Sequence, residues 1–373
     1  MIIARAPYRL SFFGGGTDYP TWSHVEGGSV LSTTIDKYCY VSVRHLPPFF
    51  SNRHRVVWSH VETVGAIAEI LHPAVREGLR MLAFDDTCGL EIHHQGDLPA
   101  RAGMGSSSSF AVAMILALSA FQGRMVGPHE LALAAIELEQ QRLREHVGSQ
   151  DQVAAAYGGL NRIDFAPDGE IRVAPVTLAP ERVQVLERRL MLFFTGTSRL
   201  SSEVAAEVVA NLRERESALR RMRAMVDEAL ALLATDSDLD AFGALLDEGW
   251  RLKRSLASRV ANETVDEVYR RALKAGALGG KLLGAGGSGF MVFYVPERRQ
   301  PAVRRALENF LHVPFRFESE GGRVLHYGSR APWLDAPESR RPLATRPARA
   351  PRPVRREDED ETGVRVRSVG SRS

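Results

Sequence analysis

Apolar and polar residues alternate along Tyr8-Arg9-Leu10-Ser11-Phe12-Phe13, the period of a half-buried strand, and Met1–Ala6 is a short β-like run that Pro7 ends. Residues 28–43, GSVLSTTIDKYCYVSV, are rich in β-branched and aromatic side chains and predict one or two strands. Arg53–Val61 and Leu90–His94 predict two more. Asn161–Phe165 and Ile171–Val176, joined by Pro167-Asp168-Gly169, predict a hairpin. Arg188–Thr195 is a continuous apolar run like a central strand, and Phe290–Val295 is another strand. Val313–Tyr327 predicts a β-hairpin turning at Gly321-Gly322.

Helical periodicity marks Ile67–Leu82 (broken near Pro73), Phe110–Phe121, the charged segment Pro128–Glu145, Val153–Tyr157, and Ala302–Leu311. Ser201–Ala234, Leu239–Ala261 and Val265–Ala275 predict three amphipathic helices, the first two long. Their heptads are not sustained, so packing within a domain is expected over a coiled coil. Mixed strands followed by long helices are compatible with an α/β (α+β) class. From Ala331 the apolar periodicity stops, and residues 331–373 predict a disordered tail of Arg, Pro and acidic residues.

The 373 residues suggest two domains. The net charge is +3, and the tail alone, with ten arginines against seven acidic residues, supplies it. The body is neutral, so the high pI is no argument for a nucleic-acid or membrane partner, and neither is expected. Two cysteines, Cys39 and Cys88, without metal-type spacing, an N-terminus unlike a signal peptide, and no apolar run long enough to span a bilayer predict a cytoplasmic protein. Adjacent His93 and His94 face opposite sides of a strand and form no metal clamp.

Candidate chemistry sits in glycine-rich stretches. Gly103-Met104-Gly105 and Ser106–Ser109 run into the apolar helix, which makes either an anion site at a helix start or a Gly/Ser linker ahead of a core helix. Gly14-Gly15-Gly16-Thr17-Asp18 allows close ligand approach with Asp18 accepting hydroxyls, or is a tight loop with a structural Asp. Arg53, His54 and Arg55 are a basic cluster or a solvated strand end. Asp151, in GSQDQ, lies near the start of a short helix, where it could also cap. Glu137 and Glu139 do not share one helix face. The loop Lys281–Gly289 enters a strand and not a helix, the wrong order for a dinucleotide fingerprint. That order excludes an NAD-dependent oxidoreductase, and neither loop carries the Gly-Lys-Ser/Thr ending of a P-loop.

Taken in order, APYRLSFFGGGTDY, LPARAGMGSSSS and KLLGAGGSGF resemble the three signature motifs of the GHMP kinases, over residues 1 to about 328. The middle one matches P-x-x-x-G-L-G-S-S as Pro99 through Ser107, with Met104 in place of Leu. The resemblance implies a domain like ribosomal protein S5 domain 2 over residues 1–185, holding ATP and sugar, and a ferredoxin-like domain over 186–330. It implies ATP over Pro99, Gly103, Met104, Gly105, Ser106, Ser107 and Ser108. A magnesium ion would lie on Ser107 and Glu139, with Glu137 the rival carboxylate. Asp151 would be the general base, with Arg9 beside it. Gly15, Gly16, Thr17, Asp18, Gly286, Gly287 and Ser288 would bind the acceptor.

GGGTDYP, HPAVREGLR and GSQDQVAAAYGG look most like the branch acting on heptose 7-phosphate, forming the 1,7-bisphosphate for GDP-heptose and surface polysaccharide. Galactokinases carry Glu-His where this chain has Gly15-Gly16, which speaks against galactose itself. The acceptor's own phosphate would need cations, for which Arg53, Arg55, Lys37 and Lys281 are unranked candidates. The partners implied are ATP and a sugar phosphate, and a homodimer is compatible. The alternatives are a kinase of this fold for L-fucose or a galactose-like sugar, and a non-catalytic sugar-binding regulator.

Overall fold

The computed structural model describes residues 1–47, 49–196, 201–235 and 238–328; the tail expected over 331–373 lies outside the described residues. In chain order the first part is β1 (Ile2–Phe13), α1 (Pro20–Glu26), β2 (Gly28–His45), β3 (His54–Val57), β4 (Val61–Val64), α2 (Pro73–Met81), β5 (Leu90–Gly96), α3 (Ser106–Phe121), α4 (Pro128–Ile136), α5 (Gln150–Tyr157), β6 (Asn161–Phe165) and β7 (Ile171–Pro175). The second is α6 (Pro180–Arg188), β8 (Leu190–Phe194), α7 (Ser201–Asn211), α8 (Glu216–Ala234), α9 (Asp240–Leu256), α10 (Glu263–Lys274), β9 (Gly279–Leu282), β10 (Phe290–Tyr294), α11 (Gln300–Ala306), β11 (Leu311–His312), β12 (Phe317–Glu318) and β13 (Arg323–Tyr327).

The long antiparallel pair β1–β2 is the spine of a nine-stranded sheet ordered β13-β1-β2-β5-β3-β4, with β6 and β12 also on β2 and β7 on β6. Pro7 does not end β1. The strand runs through it and the pairing with β2 shifts register between Pro7 and Tyr8, so the missing proline N–H falls at an irregularity. Helix α3 lies on β1 and β2 with 13 of its 16 residues buried, apolar all round as an enclosed helix must be. Each of its large aliphatic side chains contributes about 2 kcal/mol of burial, enough to anchor the polar start of the helix where it is needed. That start is Ser106, one turn earlier than the apolar run alone predicts.

Strands β11-β8-β10-β9 form a four-stranded antiparallel sheet. Taken as first to fourth in the chain they lie in the order 4-1-3-2, with helices in the crossovers, which is the ferredoxin-like arrangement. The last two strands leave it: β12 pairs with β2, and β13 with β1. The segment 186–330 therefore contributes to both sheets. Two helix predictions also change. Ser201–Ala234 is two helices, α7 and α8, and Pro128–Glu145 is α4 followed by a π-helical turn over Glu137–Arg142.

Candidate active site

A cleft of about 580 Å³ opens between the start of α3, the Gly14–Asp18 loop, the start of α5, and a wall from α9 and β9. Gly105 takes φ of +72°, which turns the chain into α3, and the first N–H groups of the helix have no intrahelical acceptor. Gly103, Gly105, Ser106, Ser107 and Ser108 line the cleft. Two other residues of that motif do not: Pro99 is exposed outside it, and Met104 is fully buried with its carbonyl accepting from Arg9 N.

Arg9 is buried at the base of the cleft. Its Nε and Nη2 donate to Asp151 Oδ1 and Oδ2 at 2.7 and 2.6 Å, a two-pronged ion pair, and Nη1 donates to Gly103 O at 2.7 Å. One guanidinium thus ties the Gly103–Gly105 loop to the aspartate in the first turn of α5. Asp151 keeps about a quarter of its side chain exposed, toward the cleft. Cβ of any residue replacing Gly105 would stand 3.2 Å from Asp151 Oδ2, so the aspartate lies directly against the loop.

Of the two carboxylates, Glu139 is the one that meets Ser107. Ser107 Oγ donates to its Oε1, while Ser108 Oγ at 2.6 Å and Gln152 Nε2 donate to its Oε2. Glu137 instead faces outward and pairs with Arg142. Burial pushes the Glu139 carboxyl up to about 7; the Ser107 and Ser108 hydroxyls oppose that and Glu145 adds to it. Among the described residues no three His, Cys, Asp or Glu gather as a metal cluster. The donor set of one carboxylate and one hydroxyl still fits magnesium, which takes one or two protein oxygens and completes its shell with phosphate and water.

Of the acceptor-side residues expected from the sequence, Gly15, Gly16 and Asp18 line the cleft. Asp18 is buried and accepts from Gly16 N at 2.9 Å, Gln150 Nε2 at 3.1 Å and Gln150 N at 3.2 Å; its acidity is weakened chiefly by burial. Thr17 is not at the surface of the cleft: its hydroxyl donates to Gly14 O at 2.8 Å and shapes the loop. Gly286, Gly287 and Ser288 also lie outside the lining. Gly287 N donates to Val260 O, and Gly286 packs on Val260 and Val204, while Leu283, Gly284 and Ala285 face the cleft instead. The third glycine loop braces the second: Phe290 N donates to Ala102 O at 3.1 Å, and Gly103 and Gly284 touch backbone to backbone.

The four cation candidates separate. Lys37 pairs with Asp36, Arg53 donates to Asp86 O, and Arg55 pairs with Glu91, all away from the cleft; Lys281 lines it. Lys253, Arg101, Arg144, His146, Ser11 and Gln150 also line it and were not singled out from the sequence. The available signal was compositional. The chain has four lysines among 48 basic residues, and two of the four meet in this cleft.

Free N–H groups at a helix start and a carboxylate fixed by an arginine across the same cleft suit phosphoryl transfer, and the chain is a phosphotransferase. Residues 64–159 match the GHMP kinases N-terminal domain and residues 209–313 the GHMP kinases C-terminal domain; the chain belongs to the GHMP kinase family and is an ATP-dependent kinase. It is 27% identical over 337 residues to a D-glycero-α-D-manno-heptose 7-phosphate kinase of Campylobacter jejuni, covering 86% of this chain and 97% of that protein. It is 26% identical over 335 residues to a bifunctional fucokinase/GDP-fucose pyrophosphorylase of Arabidopsis thaliana, covering 83% of this chain and 31% of that protein. The crystal structure of a D-glycero-D-manno-heptose 1-phosphate kinase from Bacteroides thetaiotaomicron has a TM-score of 0.72 at 25% identity, with 88% of this chain and all of that one covered. Among the described residues no helix is long and apolar enough to cross a membrane.

Proposed function

We infer that this chain is a sugar kinase that transfers the γ-phosphoryl of ATP to the anomeric hydroxyl of D-glycero-D-manno-heptose 7-phosphate, giving the 1,7-bisphosphate for GDP-heptose and surface polysaccharide synthesis. The observation that carries the phosphoryl-transfer part is the Arg9 guanidinium holding Asp151 and Gly103 O together at the mouth of the phosphate loop. The heptose phosphate is supported by the names of the relatives above and by buried cations in the cleft.

In this reading the free N–H groups at the start of α3 and its dipole bind the ATP phosphates. Ser107 and Glu139 would hold magnesium, which when bound neutralises phosphate charge. Asp18 and the Gly15-Gly16 backbone orient the sugar, and Gln150 holds Asp18 in place. The anomeric hydroxyl meets Asp151; its oxygen attacks the γ-phosphorus as its proton passes to the carboxylate, and the bond to the β–γ bridging oxygen breaks to release ADP. The transition state is loose, so the protein's contribution is positioning and charge.

The test is ATP consumption by the purified chain with magnesium and a panel of heptose 7-phosphate, unphosphorylated heptose, L-fucose and galactose. Preference for heptose 7-phosphate is expected. Preference for L-fucose or galactose would overturn the acceptor, and no turnover with any of the four would remove all of them as acceptors.

A further inference from the structure

Two lysines enter the cleft without a carboxylate partner. Lys281, on β9 and 5% exposed, donates from Nζ to Phe12 O at 2.8 Å. Lys253, on α9, donates from Nζ to Leu282 O at 2.8 Å and to Gly284 O. Among the described residues neither ammonium is in an ion pair, and an ammonium has three donors, so one N–H of Lys253 and two of Lys281 remain unspent. Ser11, 6% exposed, lines the same cleft, and among the described residues its buried hydroxyl has no hydrogen-bond partner.

Charges kept in a dry place without a counter-ion are costly. Burial pulls Lys281 down to about 7, with Arg9 adding repulsion and Asp18 opposing it. Burial also holds Lys253 well below the ordinary lysine value, with Lys281 and Arg9 repelling it and Asp151 opposing. Carbonyl dipoles alone do not balance two ammonium groups. An arriving anion would.

We propose that Lys253, Lys281 and Ser11 form a second phosphoryl-binding seat, on the wall of the cleft facing the helix start that takes the phosphates of ATP. The proposal rests on the kinase reading above and adds residues to it. The seat spans both substrates: the Gly284 partner of Lys253 packs against Gly103 of the ATP loop, and the Phe12 partner of Lys281 lies two residues before Gly14, where the acceptor loop begins. The chemistry it takes is a phosphoryl group, either the phosphate carried by the acceptor or the one in transit.

The experiment uses the full chain with Lys281→Met, Lys253→Met and Ser11→Ala. Calorimetry with inorganic phosphate as the probe should show binding to the wild type and at least a tenfold loss in each lysine variant, with ATP affinity within about twofold. Melting temperatures of the lysine variants should equal or exceed that of the wild type, because an amine whose charged form its surroundings disfavour has been removed; lower values would assign the lysines to structure and overturn the seat. In kinetics, a KM raised at least tenfold for heptose 7-phosphate alone would assign the seat to the acceptor's phosphate. A kcat lowered equally for phosphorylated and unphosphorylated heptose, with KM unchanged, would assign it to the phosphoryl in transit. Unaltered kinetics with unaltered phosphate binding, or loss of ATP binding in parallel, would overturn it. If the wild type turns over neither heptose, the substrate reading falls, and the phosphate titrations still decide the seat.

Discussion

Replacing Glu139 by glutamine should stabilise the metal-free protein, by an amount that grows with pH. The carboxyl is buried, which raises its pKa from the ordinary 4.5 to about 7. The sign follows from proton counting. Below pH 4.5 both folded and unfolded states hold the proton and the group contributes nothing. Between 4.5 and 7 the unfolded chain releases it while the folded chain keeps it, so wild-type stability falls as pH rises. Above 7 both are ionised and the full penalty remains, about 3 kcal/mol for a shift of this size. Glutamine is neutral throughout and of similar shape. Its carbonyl can accept from Gln152 while its amide donates to a serine hydroxyl, so little packing is lost.

Urea unfolding of the two proteins in chelator at pH 5, 6, 7 and 8 reads this directly. The stability difference should be small at pH 5, rise through pH 6 and 7, and level off near 8 with the variant about 3 kcal/mol ahead. A difference that does not change with pH, or a wild type more stable at pH 8, would refute the argument that Glu139 is an ionisable group held against its own burial.

Gly103→Ala should weaken ATP binding and destabilise the fold by about 2 kcal/mol or more, since a Cβ there stands 2.4 Å from Leu283 O at φ of +79°; calorimetry and melting check both. Arg55→Ala should leave kcat and KM for acceptor and ATP unchanged, since Arg55 pairs with Glu91 outside the cleft; a raised acceptor KM would return it to the substrate site.

Much of this site was legible because glycine and serine clusters are rare in buried segments and announce backbone exposed to a ligand. That signal marks Ser106–Ser108 and the Asp18 loop, which the fold brings to one cleft. The same signal marks Gly286, Gly287 and Ser288, which lie outside the cleft lining, with Gly286 and Gly287 packed on Val260. Periodicity could not decide between Glu137 and Glu139, because the π-helical turn that carries them alters the angular step assumed for an α-helix. The break between α7 and α8 falls in Leu212–Arg215, which contains neither glycine nor proline to mark it. Lys253 stood in an amphipathic helix with no motif around it, and only the packing of α9 on β9 brings it to the cleft.

Asp151 cannot be treated as an isolated base, because both of its oxygens are engaged by Arg9. A carboxylate oxygen has more than one acceptor direction, so the clamp leaves room for a sugar hydroxyl while fixing where it must come from. Arg9 in turn is oriented by Asp151 as it holds Gly103 O. Removing either partner releases the other, and the two should therefore act as a unit. Asp151→Asn should lower turnover by roughly 10² to 10⁴ with ATP affinity retained, the usual scale for loss of a general base. Arg9→Gln should lower turnover comparably, and the double variant should be little worse than the poorer single one. Turnover measured for all four proteins at saturating ATP closes the cycle. If the two losses multiply, the clamp is not the working unit, and Asp151 and Arg9 act on the reaction independently.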